Sequence, residues 1–205
     1  MKILLLADRE ERMLWDDWSE SIKERLADVE LILSAGDLDP DYLEFLVTML
    51  NVPLVYVRGN HDGIYDERPP EGCIDADGCI VESRGLRIMG LGGSMRYIPD
   101  ASDMYTEDEM RRVVRSACKR KIIDIARGNK GFDILLTHAP CRGYGDMEDL
   151  PHKGFECFND LLMKYKPRLH CFGHVHKEYG QFRRSFEHPS GTTLINASGY
   201  YIFDY

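Results

Sequence analysis

Within its first 57 residues the sequence three times sets down a short aliphatic run, with a helix-patterned segment between each run and the next, and this alternation limits the fold more than any other feature. Ile3 to Ala7 is continuous, aliphatic and short, as expected of a strand buried on both faces. Residues 13–27 place Leu14, Trp18, Ile22 and Leu26 at every fourth position, which predicts an amphipathic helix. Leu31-Ile32-Leu33 is a second buried run, and a helix from about Asp41 to Leu50 is expected behind Pro40. Pro53 to Val57 is a third run. Strands and helices that alternate with short connections build a parallel sheet from βαβ units.

The pattern changes after residue 70. Cys79 to Glu82 and Leu86 to Leu91 predict a hairpin turning at Ser83-Arg84-Gly85. Thr106, with Glu109 three residues on, has the form of a capping box and opens a helix expected over 106–127. A helix is expected near 154–165, and strands at Ile134 to Thr137, Leu169 to Phe172, Tyr179 to Phe182 and Thr192 to Ala197. The chain shows no internal repeat, linker or low-complexity run, so residues 1–205 read as a single α/β domain.

Composition narrows the function classes. With 43% hydrophobic and 30% charged residues the chain has ordinary globular proportions. A formal charge of −9 argues against polymeric nucleic acid as a partner. The six cysteines form no CxxC pair, so neither a zinc knuckle nor a disulfide framework is expected. Asp8 ends the N-terminal apolar run well short of signal-peptide length, and no stretch reaches a membrane span. The expectation is a reduced, cytoplasmic setting without a membrane partner.

The chemically informative residues all follow predicted strands. They are Asp8-Arg9-Glu10, Gly36-Asp37, Gly59-Asn60-His61-Asp62, Thr137-His138 and Gly173-His174-Val175-His176. In open α/β sheets, sites form beyond the carboxyl ends of strands, so these clusters should converge. Four of the seven histidines belong to them. Asp, Asn and His together offer a mixed oxygen and imidazole donor set suited to Mn, Zn or Fe, and one carboxylate such as Asp37 can bridge two ions. His174 and His176, two apart, share a side if their backbone is extended. The glycines before Asp37, Asn60 and His174 are expected to supply turns that aim the next side chain inward.

These ordered clusters, from Asp8 to His176, resemble the calcineurin-like metallophosphoesterases, whose pattern is Asp-x-His, Gly-Asp, Gly-Asn-His-Asp/Glu, a lone His and Gly-His-x-His. The resemblance, which extends to small bacterial members, implies a four-layer α/β/β/α sandwich. It implies a first metal held by Asp8, Asp37 and His176, and a second, bridged by Asp37, held by Asn60, His138 and His174. His61 would act near the leaving group and Asp62 would orient it. A metal-bound hydroxide would attack the phosphorus of a small phosphodiester or phosphomonoester, the diester slightly favoured. The cofactors implied are two divalent ions, with Mn favoured and Fe, Zn, Ni or Mg as alternatives.

One position departs from the pattern, since Glu10 stands where the family has histidine. Either Glu10 ligates through oxygen and makes that site harder, or it turns toward Arg9 or Arg12 and leaves the first site weak. The second alternative leads to a rival function, a metal-binding interaction module with little or no turnover. Arg96 and Arg142 are candidate phosphate contacts, and Tyr144 or Tyr97 a candidate stacking platform, because their loops also follow strands. His152 is a candidate for approaching the site, whereas His170 falls in a buried strand and reads as a core residue. The basic residues of the helix beginning at 106 alternate with acids and read as a solvated face.

Overall fold

A computed structural model describes residues 1–120, 131–180 and 182–205, and main chain only for 119 and 120. The elements are β1 (Lys2–Ala7), α1 (Glu20–Leu26), β2 (Val29–Ser34), α2 (Pro40–Leu50), β3 (Leu54–Tyr56), β4 (Ile74–Asp75), β5 (Ile80–Ser83) and β6 (Leu86–Leu91). They continue with β7 (Ser94–Met95), β8 (Met104–Tyr105), α3 (Glu107–Arg120), β9 (Ile134–Thr137), α4 (Glu156–Tyr165), β10 (Leu169–Phe172), β11 (Ser185–Glu187), β12 (Thr193–Asn196) and β13 (Gly199–Asp204).

Two sheets carry the fold. The first runs β13-β1-β2-β3-β4, parallel except for β13, and the second runs β11-β12-β10-β9-β6-β5, antiparallel only at its two outer pairs. Alternate residues of β1 separate the layers. Ile3, Leu5 and Ala7 join Leu33, Val55, Ile134, Leu136, Cys171 and Ile195 in a core between the sheets. Leu4 and Leu6 face the other way, with Ile22, Leu26, Tyr42 and Leu46 of α1 and α2. On the far side, Leu135 and Leu194 pack with Met110 of α3 and Phe158 and Leu161 of α4. The three cores separate four layers, which makes the chain an α/β/β/α sandwich.

Local chemistry explains the boundaries. Asp39 caps α2 by accepting from the Asp41 amide at 2.8 Å, and Pro40 sits inside the first turn, where it forfeits no hydrogen bond. Thr106 and Glu109 form the reciprocal capping box at the start of α3, with bonds of 2.8 and 3.3 Å. The expected end of that helix at 127 lies outside the described residues.

Two expectations need correction, and one strand was missed. The helix expected over 13–27 is a short 3-10 turn at Arg12–Leu14 followed by α1 alone, because the Ser19 hydroxyl caps a fresh start at the Ile22 amide. The strand expected at Tyr179 to Phe182 is absent from the described residues; Lys177–Tyr179 is a 3-10 turn ended by Gly180 at φ 137°, and the strand comes later as β11. Finally β13, not anticipated, pairs antiparallel along the whole of β1 and forms an edge of the first sheet.

Candidate metal centre

The carboxyl ends of β1, β2, β3, β9 and β10 meet at one edge of the sandwich and bring Asp8, Asp37, Asn60, His138 and His174 together. Three of them bend there in the left-handed region: Asp8 at φ 67°, Asp37 at φ 57° and His174 at φ 69°. Each such residue costs about 1–3 kcal/mol, which surrounding structure must offset. The core between the sheets does so, since each fully buried Leu or Ile there contributes about 2 kcal/mol. His174 is therefore not extended. Its ring turns inward, whereas His176 remains half-exposed, with Nε2 4.0 Å from Asp8 Oδ1.

Two glycines are needed for space rather than for a turn. A Cβ on Gly59 would lie 2.0 Å from Asp37 Oδ1, and one on Gly173 would lie 2.6 Å from the Ala7 Cβ and 2.9 Å from Asp8 Oδ1. The strand-end loops pass so closely that only hydrogen fits between them.

His138 Nε2 is the centre of the cluster. It lies 3.1 Å from Asn60 Oδ1, 3.1 Å from His174 Nδ1 and 3.3 Å from Asp37 Oδ2. The other nitrogen of each ring bonds a main-chain carbonyl, His138 Nδ1 to Ala35 at 2.7 Å and His174 Nε2 to Pro151 at 2.7 Å. A carbonyl only accepts, so those nitrogens carry hydrogen and the inward ones are the donors to a cation. Asp37, His138 and His174 place one ligand atom each within 4.8 Å of one another.

The field at this point is negative. Burial alone would raise Asp37, but the His138 ring and the His61 amide, which donates to Asp37 Oδ1 at 2.8 Å, hold it well below the usual carboxylate range. Burial likewise opposes charge on His138, yet the neighbouring Asp37 carboxylate lifts it to about 9. His174, desolvated and beside His138, falls to about 3. Asp8 is raised to about 7, chiefly by burial; its Oδ1 accepts from the His174 amide at 2.8 Å, and its Oδ2 is buried without a partner.

The remaining predicted residues divide. His61 is exposed at the mouth of a cleft that Asp8, Glu10, Asp37, Asp62 and His176 also line. Asp62 accepts from the amides of Gly59 and Asp37 at 2.7 and 2.8 Å; among the described hydrogen bonds none joins it to the His61 ring. It braces the loop rather than the imidazole. Burial raises Asp62 to about 6. Glu10 Oε1 accepts from the Asp39 amide at 2.9 Å, at the start of α2.

The expected substrate contacts are engaged elsewhere. Arg96 turns to α3, 3.0 Å from Glu109 and 2.9 Å from the Met104 carbonyl. Arg142 pairs with Asp146 at 2.8 Å and Glu148 at 2.7 Å, ordering the loop that carries Pro151 to His174. The Tyr144 ring packs against His188 at 5.0 Å. Tyr97 does reach the cluster, where the Asn60 amide donates to its hydroxyl at 3.4 Å. The His152 ring lies 5.3 Å from that of His174. Sequence reasoning missed Tyr179, which stands between His152 at 4.6 Å and His176 at 4.8 Å; the misplaced strand hid it.

Comparison with known proteins follows the same lines. The calcineurin-like phosphoesterase family model matches residues 1–178. A UPF0046 protein of Caenorhabditis elegans is 40% identical over 52 residues, covering 24% of this chain and 13% of that protein. Metallophosphoesterase domain-containing protein 1 of Homo sapiens is 36% identical over 72 residues, covering 34% of this chain and 21% of that protein. The matched segments thus span 13% and 21% of those relatives. One solved chain superposes with a TM-score of 0.66 at 15% identity, over 99% of this chain and 94% of the other. The TT1561 protein of Thermus thermophilus superposes at 0.58 with 14% identity, over 97% and 89%. At these identities the superpositions speak to the fold. No helix among the described residues is long and apolar enough to cross a membrane.

Proposed function

Because this chain belongs to the calcineurin-like phosphoesterase family, we propose that it hydrolyses a small phosphate ester with two divalent metal ions. The observation that carries this reading is the convergence of Asn60 Oδ1, His174 Nδ1 and Asp37 Oδ2 on His138 Nε2 within 3.3 Å. Oxygen and imidazole donors of this kind suit Mn, our first choice, as well as Fe, Zn or Ni, and less well Mg. Asp37, Asn60, His138 and His174 would hold one ion. Asp8, whose buried Oδ2 lacks a partner, would hold the other with His176 and share Asp37. Ions so placed polarise a phosphoryl oxygen and lower the pKa of water toward neutrality.

The protein's own contribution is orientation and proton delivery. The Ala35 and Pro151 carbonyls fix the two imidazoles with their lone pairs inward. Asp62 fixes the loop that carries His61, and His61, exposed at the cleft mouth, would protonate the departing alcohol. We favour a diester slightly over a monoester. A second reading rests on Glu10: a carboxylate committed to the Asp39 amide would leave the Asp8 position weak and the protein a metal-binding module with little turnover.

The deciding experiment is hydrolysis of bis-p-nitrophenyl phosphate and p-nitrophenyl phosphate by metal-stripped protein, re-supplied with Mn, Ni, Zn, Fe(II) or Mg, with His61→Ala alongside. Metal-dependent turnover that falls at least a hundred-fold in the variant supports the enzyme, in line with the usual worth of a general acid, about 10²–10⁴-fold. No turnover from folded, metal-loaded protein favours the second reading.

A further inference from the structure

Beside the candidate centre lies a cleft of about 380 Å³ whose lining includes His176, Tyr179, Phe182, Arg183 and Phe186. Its size falls within the range of small-molecule sites, about 300–1,000 Å³. His176 is common to this cleft and to the one that holds Asp8, Asp37 and His61. The two therefore meet at a single imidazole, and a group carried on a phosphate held near Asp8 would reach the aromatic cleft by passing His176.

The walls of this cleft are held in place. Tyr179 lies nearly parallel to His176, at 14° and 4.8 Å between ring centres, and is 46% exposed. The Arg184 guanidinium covers the Phe182 ring at 4.7 Å and is itself anchored on the Asn196 carbonyl at 2.6 Å and the Ser198 carbonyl at 3.3 Å. Arg183 stands 4.9 Å over Phe186. Among the described residues Arg183 makes no ion pair, so its charge is available at the rim. Rings backed by guanidinium groups, next to an exposed cation, favour a flat, electron-rich group over a flexible aliphatic one.

We propose that this cleft is the leaving-group subsite, and that it selects phosphate esters whose alcohol carries a planar aromatic or heteroaromatic ring. The inference rests on the hydrolase reading for its orientation, but it concerns side chains outside the metal cluster. Tyr179, Phe182 and Phe186 take the ring, and Arg183 covers its edge.

The test is binding, by calorimetry on manganese-supplied protein, of phenylphosphonate, n-hexylphosphonate and methylphosphonate, none of which is turned over. Phenylphosphonate is expected to bind at least about five-fold tighter than either of the others, as stacking on aromatic side chains implies. Phe182→Leu, which keeps apolar bulk, and Arg183→Gln, at an exposed position, should each narrow that gap and leave methylphosphonate unchanged. Equal affinities, a gap indifferent to both variants, or no binding of any phosphonate would overturn the subsite. Ester turnover without a ring-dependent gap would sink the subsite and keep the hydrolase; a gap without turnover would do the reverse.

Discussion

His138 Nε2 and His174 Nδ1 face each other at 3.1 Å, each ring fixed from behind by a main-chain carbonyl. Two neutral imidazoles so held would oppose lone pair to lone pair, with Asp37 Oδ2 a further 3.3 Å from the same nitrogen. Only a cation between them makes the arrangement favourable, whether a shared proton or a metal ion. The fold holds this point electron-rich and leaves the choice of cation to the medium.

A divalent ion should therefore stabilise the fold. At a hundred-fold excess over its Kd, an ion that binds only the native state adds about 2.7 kcal/mol. For a chain of this size that raises Tm by roughly 5–10 °C. Thermal unfolding with Mn against a chelator measures it, and His174→Ala should lose most of the rise. An identical Tm in both media would count against the centre.

Glu10 separates the two readings of the first metal position. Its Oε1 accepts from the Asp39 amide, so Glu10→Ala should cost about 1 kcal/mol in urea unfolding, and Glu10→Gln, which keeps an acceptor, about half that or less. If Glu10 serves only that amide, manganese stoichiometry stays the same in both variants. A loss of one ion per chain in Glu10→Gln would identify it as a ligand as well.

Gly59→Ala tests the close passage of the strand-end loops. The added Cβ would stand 2.0 Å from Asp37 Oδ1 and 2.6 Å from the Asp37 amide, and the backbone of both loops must move to admit it. Destabilisation of about 1–3 kcal/mol is expected, as for other overpacked sites, together with loss of manganese binding. Unchanged binding by calorimetry would show that the loops yield without disturbing Asp37.

The strand–helix alternation and the strand-end positions of the cluster residues were legible because each depends on a pattern that side chains display, whereas the four-layer stacking was implied only by the family resemblance. Aliphatic runs of strand length mark β1, β2 and β3, and Asp8, Asp37, His138 and His174 follow strands within three residues. The groups that aim the imidazoles are the carbonyls of Ala35 and Pro151, and a main-chain atom has no residue type to read. The same limit explains Asp62, which spends its carboxylate on two amides rather than on the neighbouring ring. At 177–187 the aromatics Tyr179 and Phe182 imitated a strand while lining a cleft. Gly199–Asp204, rich in Tyr, Ile and Phe, did carry a strand signal, and its pairing along β1 could have been anticipated.

His170, outside the centre, should govern acid stability. It is wholly buried on β10, its Nε2 2.8 Å from the Thr137 hydroxyl, and that hydroxyl donates to the Ala139 carbonyl at 2.6 Å. The hydroxyl hydrogen is thus used, so Nε2 is the donor and the ring is neutral, with Nδ1 buried and unpartnered. Burial lowers its pKa from 6.5 to about 3. Between those values the unfolded chain binds a proton that the native chain refuses, so this contribution to stability is complete above pH 6.5 and is lost as pH falls toward 3. The slope is up to about 1.4 kcal/mol per pH unit. In His170→Leu, urea-derived stability should fall less steeply from pH 6.5 to 4.5, by nearly one proton, whatever the variant loses at pH 7.5. Parallel pH profiles for the two proteins would show that His170 does not carry the acid sensitivity.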